Sequence, residues 1–101
     1  MNREIWQERT RLLLGKDKTE KLHNAHILVA GLGGVGAYAA EMLVRAGIGK
    51  ITIVDSDVVN PSNLNRQLLA LKSTLGQPKS EIMKARLLEI NPELEIQSLN
   101  I

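Results

Sequence analysis

A glycine turn between two apolar runs constrains the fold of this chain more than any other feature. The run Ile27–Ala30 leads into Gly31-Leu32-Gly33-Gly34-Val35-Gly36, and a segment with helical character follows to about Ala46. A second apolar run, Ile51–Val54, ends on Asp55, nineteen residues after the last glycine of the turn. Strand, glycine turn, helix, strand and acidic residue in this order predict a βαβ unit.

The same unit has the chemistry of a phosphate site. Glycine lacks a Cβ, so backbone N–H groups approach an anion closely, and the following helix directs its unpaired N–H groups at the same place. Gly31, Gly33 and Gly36 satisfy G-x-G-x-x-G, and Asp55 stands near the ~20-residue offset at which a carboxylate reaches ribose hydroxyls. The pattern predicts a nucleotide site; the simpler alternative is a glycine turn that only packs a helix on a strand.

The rest of the chain predicts one small α/β domain with an aliphatic core, since 44% of its 101 residues are hydrophobic and Phe is absent. A short helix is expected over 64–71, an amphipathic helix over Lys79–Ile90, and a third strand around Leu94–Ile101. We therefore expect the N-terminal half of a Rossmann-like, doubly wound parallel sheet of about three strands, over residues 25–101.

A helical arm is predicted over residues 1–24, with helices at 2–14 and 16–24 separated by Gly15. The arm has too little apolar surface to fold alone, so we expect it to pack on the body of the protein or on a neighbouring chain. Half of a doubly wound sheet leaves the strand at 26–30 with a bare apolar edge, which natural proteins avoid. The sequence therefore predicts the N-terminal portion of a longer protein.

Composition narrows the class of protein. The net charge of +2 is too small to imply nucleic-acid or membrane binding by itself, and the chain has no cysteine. No apolar run approaches the ~20 residues that span a bilayer, and we expect a cytoplasmic protein. His23 and His26 do not form a convincing metal pair, so no protein-held metal site is predicted.

Polar residues after the second strand argue against an ordinary NAD site. Asp57 adds a second carboxylate, and Asn63, Arg66 and Lys79 follow. Arginine binds phosphate oxygens with a planar fork and lysine with a point charge, while a second carboxylate suits Mg²⁺ on a phosphate chain. Taken singly, each of these residues is explained as a solvated charge or a turn cap. Taken together, they predict a binding site for a nucleoside triphosphate with Mg²⁺.

The combined pattern resembles the adenylation domain of ubiquitin-activating-type enzymes, the ThiF/MoeB/HesA superfamily. The residues that carry the resemblance are Gly31-x-Gly33-Gly34-x-Gly36, Asp55-x-Asp57, Asn63-x-Asn65-Arg66-Gln67 and Gly76-x-x-Lys79. The likeness runs from about Gln7 onward. Trp6, Arg45–Gly49 and Ile90–Glu93 look most like the branch of tRNA threonylcarbamoyladenosine dehydratases.

The resemblance implies a role for each motif. The glycine loop would lie against the phosphates of ATP, the acidic pair would lie at the ribose, and the Asn, Arg and Lys would contact phosphate or ribose. The implied nucleotide-binding residues are Gly31, Gly33, Gly34, Gly36, Asp55, Asp57, Asn63, Arg66 and Lys79.

In this family an arginine of the arm acts across a homodimer as an arginine finger. Counting back six residues from Gly15 gives Arg9, with Arg11 as the competitor. The implied catalytic set is then Arg9, Arg66 and Lys79. A surface charge on an exposed helix is the plain alternative for Arg9.

The resemblance implies that a substrate carboxylate attacks the α-phosphate of ATP and that pyrophosphate leaves. The partner would be tRNA in the dehydratase branch, where a threonylcarbamoyl group then cyclises with net loss of water. In ThiF- and MoeB-like members it would be the C-terminus of a ubiquitin-like sulfur-carrier protein. An NAD-dependent oxidoreductase and a non-enzymatic scaffold stay open as alternatives. The family's later magnesium-binding Asp has no counterpart up to Ile101, so this chain alone is expected to be inactive.

Overall fold

A computed structural model describes residues 3–101 as a three-stranded parallel sheet with its helices and an N-terminal arm. Met1 and Asn2, with which the predicted arm begins, lie outside the described residues. The elements are α1 (Arg3–Trp6), α2 (Glu8–Leu14), α3 (Lys16–Asn24), β1 (His26–Ala30), α4 (Gly36–Ala46), β2 (Lys50–Val54), α5 (Lys79–Ile90) and β3 (Glu95–Leu99). None of these helices is long and apolar enough to cross a membrane.

The strands lie in the order β1-β2-β3, and each neighbouring pair is parallel. Ile27 pairs with Ile51, which in turn pairs with Ile96. The two crossovers contain α4 and α5, and right-handed connections in one direction place both helices on the same face of the sheet. The predicted fold class is confirmed.

The core lies between that sheet face and the two helices. Ala37, Ala40 and Val44 of α4 are fully buried, and small side chains let this helix approach the sheet closely. The residues that complete the buried cluster are Leu32, Ile51, Ile53, Leu69, Met83, Leu87 and Leu94. The opposite face is not covered within the described residues, because Leu28 of β1 is 64% exposed.

Two local predictions differ from the structure. No helix forms over 64–71, where the chain makes turns and places Leu69 and Ala70 in the interior. Successive turns are enough to bury Leu69 and Ala70, so a helix is not needed. In one of these turns the Ala70 N–H donates to the Gln67 carbonyl (3.1 Å). The predicted helix at 2–14 is interrupted at Gln7, whose side chain turns inward.

The arm rests on the turn that follows α4. Gly47, with φ +115°, caps this helix in the left-handed conformation, and a Cβ there would lie 1.9 Å from Nε2 of Gln7. A Cβ on Gly49 would lie 2.0 Å from the carbonyl oxygen of His23. Side chains at these two positions would displace the arm. The glycines that follow α4 therefore also leave room for the arm to pack against the body.

Candidate nucleotide site

A cavity of about 300 Å³ lies at the carboxyl edge of the sheet. Its lining includes Gly31, Asp55, Ser56 and Asp57, which follow β1 and β2 directly. Ligands of open α/β sheets bind at this edge, because loops and helix N-termini converge there. The structure thus brings the predicted glycine turn and acidic pair to one place.

The glycine turn is tight at one end and open in the middle. The N–H of Gly31 donates to the Val54 carbonyl (2.8 Å), and Gly31 has φ +92°. A Cβ on Gly36 would lie 1.7 Å from the Gly31 carbonyl oxygen, so only glycine fits where α4 begins. A Cβ on Gly34 would meet nothing within 4 Å, which leaves room beside the backbone for an anion.

Asp55 is held by the backbone on both sides. Its Oδ2 accepts the N–H of Leu32 and its Oδ1 accepts the N–H of Asp57, each at 2.7 Å. The first bond ties the carboxylate to the glycine turn. Each carboxylate oxygen keeps a further lone pair, so Asp55 can still accept ribose hydroxyls. The Asp57 residue is exposed.

Lys79 is the least expected feature of this edge. It is only 5% exposed, and its N–H donates to the Asp57 carbonyl at 3.0 Å. Its ammonium makes no hydrogen bond or ion pair with any residue that the structure describes. A lysine ammonium without an ion pair, carried by a nearly buried residue at this edge, suits an anionic ligand.

Asn63 and Arg66 lie on the loop between Asp57 and Lys79. Asn63 is 7% exposed, and its Oδ1 accepts the N–H of Asn60 (2.9 Å). Nη1 of Arg66 donates to the Ser62 carbonyl (3.1 Å) and to Oδ1 of Asn65 (2.9 Å). These bonds use one end of each side chain and leave further N–H donors for a ligand.

Gln67 was not among the predicted site residues, although it stands in the Asn65-Arg66-Gln67 motif. Its Nε2 would lie 3.5 Å from a Cβ on Gly33, so the amide faces the glycine turn. Its Oε1 is buried and has no partner in the described part of the chain. The signal in the sequence was its place in the motif, because a lone glutamine has no other distinguishing pattern.

Arg9 lies apart from these residues. It is exposed on α2, and it forms no hydrogen bond or ion pair with the described residues. The neighbouring Gln7 bonds to Ala46, at the opposite end of α4 from the glycine turn. A helix of 11 residues separates the two ends by about 15 Å. The structure does not bring Arg9 to the nucleotide site of its own chain.

Residues 5–101 contain no group of three His, Asp or Glu side chains that would hold a metal ion unaided. The exposed carboxylate of Asp57 accepts no hydrogen bond from the described residues, whereas each Asp55 oxygen accepts one backbone N–H, so Asp57 is the freer of the two. Mg²⁺ bound to nucleotide phosphates takes only one or two protein carboxylates, so this donor set fits it.

A parallel βαβ unit with a glycine turn and a carboxylate at the next strand end defines a nucleotide-binding domain. Within that class, the chain belongs to the ThiF family, whose model matches residues 7–100. The tRNA threonylcarbamoyladenosine dehydratase of Bacillus subtilis is 52% identical over 93 residues. The molybdopterin-synthase adenylyltransferase of Salmonella typhimurium is 46% identical over 81 residues, which are 80% of this chain and 32% of that protein.

A solved structure agrees with these relatives. The E. coli tRNA N6-threonylcarbamoyladenosine dehydratase TcdA in complex with ATP superposes with a TM-score of 0.94 at 41% identity, covering 97% of this chain and 40% of that one. The B. subtilis alignment covers 92% of this chain and 37% of the relative. The chain therefore spans about a third of the length of these two curated relatives.

Proposed function

We propose that the protein is an ATP-dependent adenylating enzyme, in which a substrate carboxylate attacks the α-phosphate of ATP and displaces pyrophosphate. The observation that carries the proposal is Lys79, a nearly buried residue whose ammonium has no ion pair among the described residues and whose N–H donates to the Asp57 carbonyl. An NAD site needs the ribose carboxylate and the glycine turn, but it does not need an unpaired lysine at this place. The family of the chain and the ATP complex of a structural neighbour support the proposal.

The proposed roles follow from charge. Carboxylate and triphosphate are both anions, so the site must offset their repulsion while they meet. The amides of the glycine turn (Gly31, Gly33, Gly34 and Gly36), Arg66 and Lys79 would do so, and preorganised donors stabilise charge in the transition state most effectively. Asp55 would hold the ribose hydroxyls, and Asn63 would donate its amide to phosphate or ribose. Arg66 and Lys79 are thus proposed as catalytic as well as binding residues.

Mg²⁺ is proposed as the metal that accompanies ATP, with Asp57 as its protein ligand. When bound, the ion would neutralise phosphate charge. The protein's own part is to hold Asp57 beside the ribose carboxylate, through the backbone bond from Asp57 N–H to Asp55 Oδ1.

The proposed acyl partner is a tRNA with a threonylcarbamoyl group, whose carboxylate becomes activated and then cyclises with net loss of water. Relatives named as tRNA threonylcarbamoyladenosine dehydratases, at 52% and 44% identity, support this partner. The Salmonella relative supports a second candidate, the C-terminal carboxylate of a ubiquitin-like sulfur-carrier protein. Either reaction belongs to the cytoplasm, and no membrane partner is proposed.

A homodimer completes the proposal. Arg9 is exposed and forms no hydrogen bond or ion pair with the described residues, and it follows Gln7, which bonds to the end of α4 opposite the glycine turn. We therefore propose that it acts as an arginine finger on the site of a second subunit. Arg11 is the weaker candidate because it is half-buried and already engaged within the chain.

The test is ATP–pyrophosphate exchange by the full-length protein with tRNA bearing threonylcarbamoyladenosine, with unmodified tRNA, and with a carrier protein that ends in Gly-Gly. Lys79→Met should lower exchange by about 100-fold or more, since it removes a charge that acts on the transition state. Lys84→Met is the matched control, because it removes a lysine from the same helix outside the site. We expect near-normal exchange from the control.

Exchange that depends on the modified tRNA would support the dehydratase reaction, and exchange that depends on the carrier would move the protein to the sulfur-carrier branch. No exchange with any acyl partner, together with tight NADH binding, would overturn the adenylation proposal. Equal losses of exchange activity in Lys79→Met and Lys84→Met would contradict the proposed role of Lys79 in the site.

A further inference from the structure

Gln7 is a buried amide at the joint between the arm and the body. It is 1% exposed and lies in the break between α1 and α2. Its Nε2 donates to the Ala46 carbonyl at 3.1 Å. Ala46 is the last residue of α4, where helix carbonyls lack intrahelical partners. The side chain thus ties the arm to the far end of the helix that starts at the glycine turn.

Stability alone does not explain a glutamine at this position. Its Oε1 is buried and finds no partner among the described residues. An unsatisfied buried oxygen costs about as much as one hydrogen bond contributes, so an apolar side chain of similar size would be about as stable. The glutamine adds a directional contact, because the hydrogen bond that it donates to the Ala46 carbonyl fixes the position and orientation of the arm.

The same residue sets the start of the helix that carries Arg9. The Gln7 carbonyl accepts the N–H of Arg11 at 2.9 Å and so opens the hydrogen bonding of α2. Arg9 follows Gln7 by two residues, within the first turn of that helix. Side chain and main chain of Gln7 therefore fix the position of Arg9 relative to the body.

We propose that Gln7 is a positioning residue for Arg9, holding the arm against the end of α4 so that the arginine is presented to the nucleotide site of a second subunit. This inference rests on the proposed function, because it gives Arg9 a partner only in an adenylating dimer. Gln7 itself touches neither substrate nor nucleotide.

A double-mutant cycle on the full-length protein tests the proposal. Gln7→Met keeps the size of the side chain and removes the donor, Arg9→Ala removes the finger, and the third variant carries both. We expect Gln7→Met to lower kcat of pyrophosphate exchange by about 10- to 100-fold, as misplacement of a catalytic group does, with little change in KM for ATP. In the Arg9→Ala background the same substitution should cost nothing further.

Glu8→Ala is the control, since it alters the exposed residue between the two. Limited trypsin digestion supplies a second readout: release of the arm in Gln7→Met should speed cleavage after Arg9, whereas Glu8→Ala should not. Equal losses from Gln7→Met in both backgrounds, or no loss at all, would overturn the inference while exchange by the parent protein still upholds the proposed function. If the unmodified protein shows no pyrophosphate exchange, the result would instead contradict the proposed function.

Discussion

Ser80 buries a hydroxyl group that no described residue satisfies. The residue is fully buried in the first turn of α5, and its Oγ has no hydrogen-bond partner in the described structure. We expect Ser80→Ala to raise the free energy of unfolding by about 1 kcal/mol, because it removes an unsatisfied polar group and alanine favours the helix. Urea titration of both proteins measures the difference. Ser73→Ala, at an exposed position, is the control, and a loss of stability in Ser80→Ala alone would show that the hydroxyl has a partner.

At the scale of single residues, the sequence predicted which residues come together wherever a residue type has one dominant use. Glycines before a helix and a carboxylate after a strand are of this kind, and the structure places Gly31 and Asp55 together. Gln7 and Gln67 escaped prediction, because the amide of glutamine serves surfaces, turns and buried contacts alike. Only the packing around Gly47 and Gly33 shows what these two amides face.

At the scale of elements, α4 and α5 are joined by a charge cluster. Glu41 of α4 accepts a hydrogen bond from Arg86 of α5, and Arg45 lies 3.5 Å from its other oxygen. The hydrogen bond from Arg86, with the positive charges of Arg86 and Arg45, outweighs burial and lowers the pKa of Glu41. The folded state therefore favours the ionised carboxylate.

A pH dependence follows from this cluster. Because the folded pKa of Glu41 lies below its usual value of 4.5, the stabilisation is fully present above that value and is lost as the pH falls through the folded pKa. We expect Glu41→Gln to lower the free energy of unfolding by about 1 kcal/mol at neutral pH, a modest figure because Arg86 is partly exposed. Thermal unfolding of both proteins at neutral pH and at about pH 3 should show the difference shrinking in acid. Glu93→Gln, on the loop after α5, should show no such difference at either pH.

The bounds of helices and strands were predictable where glycine, proline or asparagine stands on either side of a regular pattern of apolar residues. α3, α5 and β1 have the predicted bounds, with glycine, proline or asparagine beside their ends. The helix expected over 64–71 was wrong, because four leucines and an alanine in eight residues suit either a helix or two turns that bury Leu69 and Ala70. The interruption at Gln7 was missed for a different reason, since it depends on a contact with Ala46, thirty-nine residues away.

At the scale of the whole molecule, the candidate nucleotide site and the proposed arginine finger, Arg9, lie apart within one chain. Gly31 and Asp55 line the cavity at the carboxyl edge of the sheet, and the N–H of Lys79 donates to the Asp57 carbonyl there. The exposed Arg9 follows Gln7, which bonds to the other end of α4. The proposed role of Arg9 as an arginine finger therefore calls for a second subunit. In a two-fold dimer each subunit would lend its Arg9 to the site of the other.

Mixing two inactive variants of the full-length protein tests this arrangement. In a dimer of one Arg9→Ala subunit and one Lys79→Met subunit, the site with an intact Lys79 receives the intact Arg9 of the other subunit. If subunits exchange freely, half of the dimers are mixed and each has one complete site, so exchange should recover to about one quarter of the parent value. Co-expression with two affinity tags isolates the mixed dimers, in which recovery should approach one half. If Arg9 acts within its own chain, no complete site arises in a mixed dimer. Mixed dimers as inactive as the Arg9→Ala and Lys79→Met proteins would therefore refute the shared site.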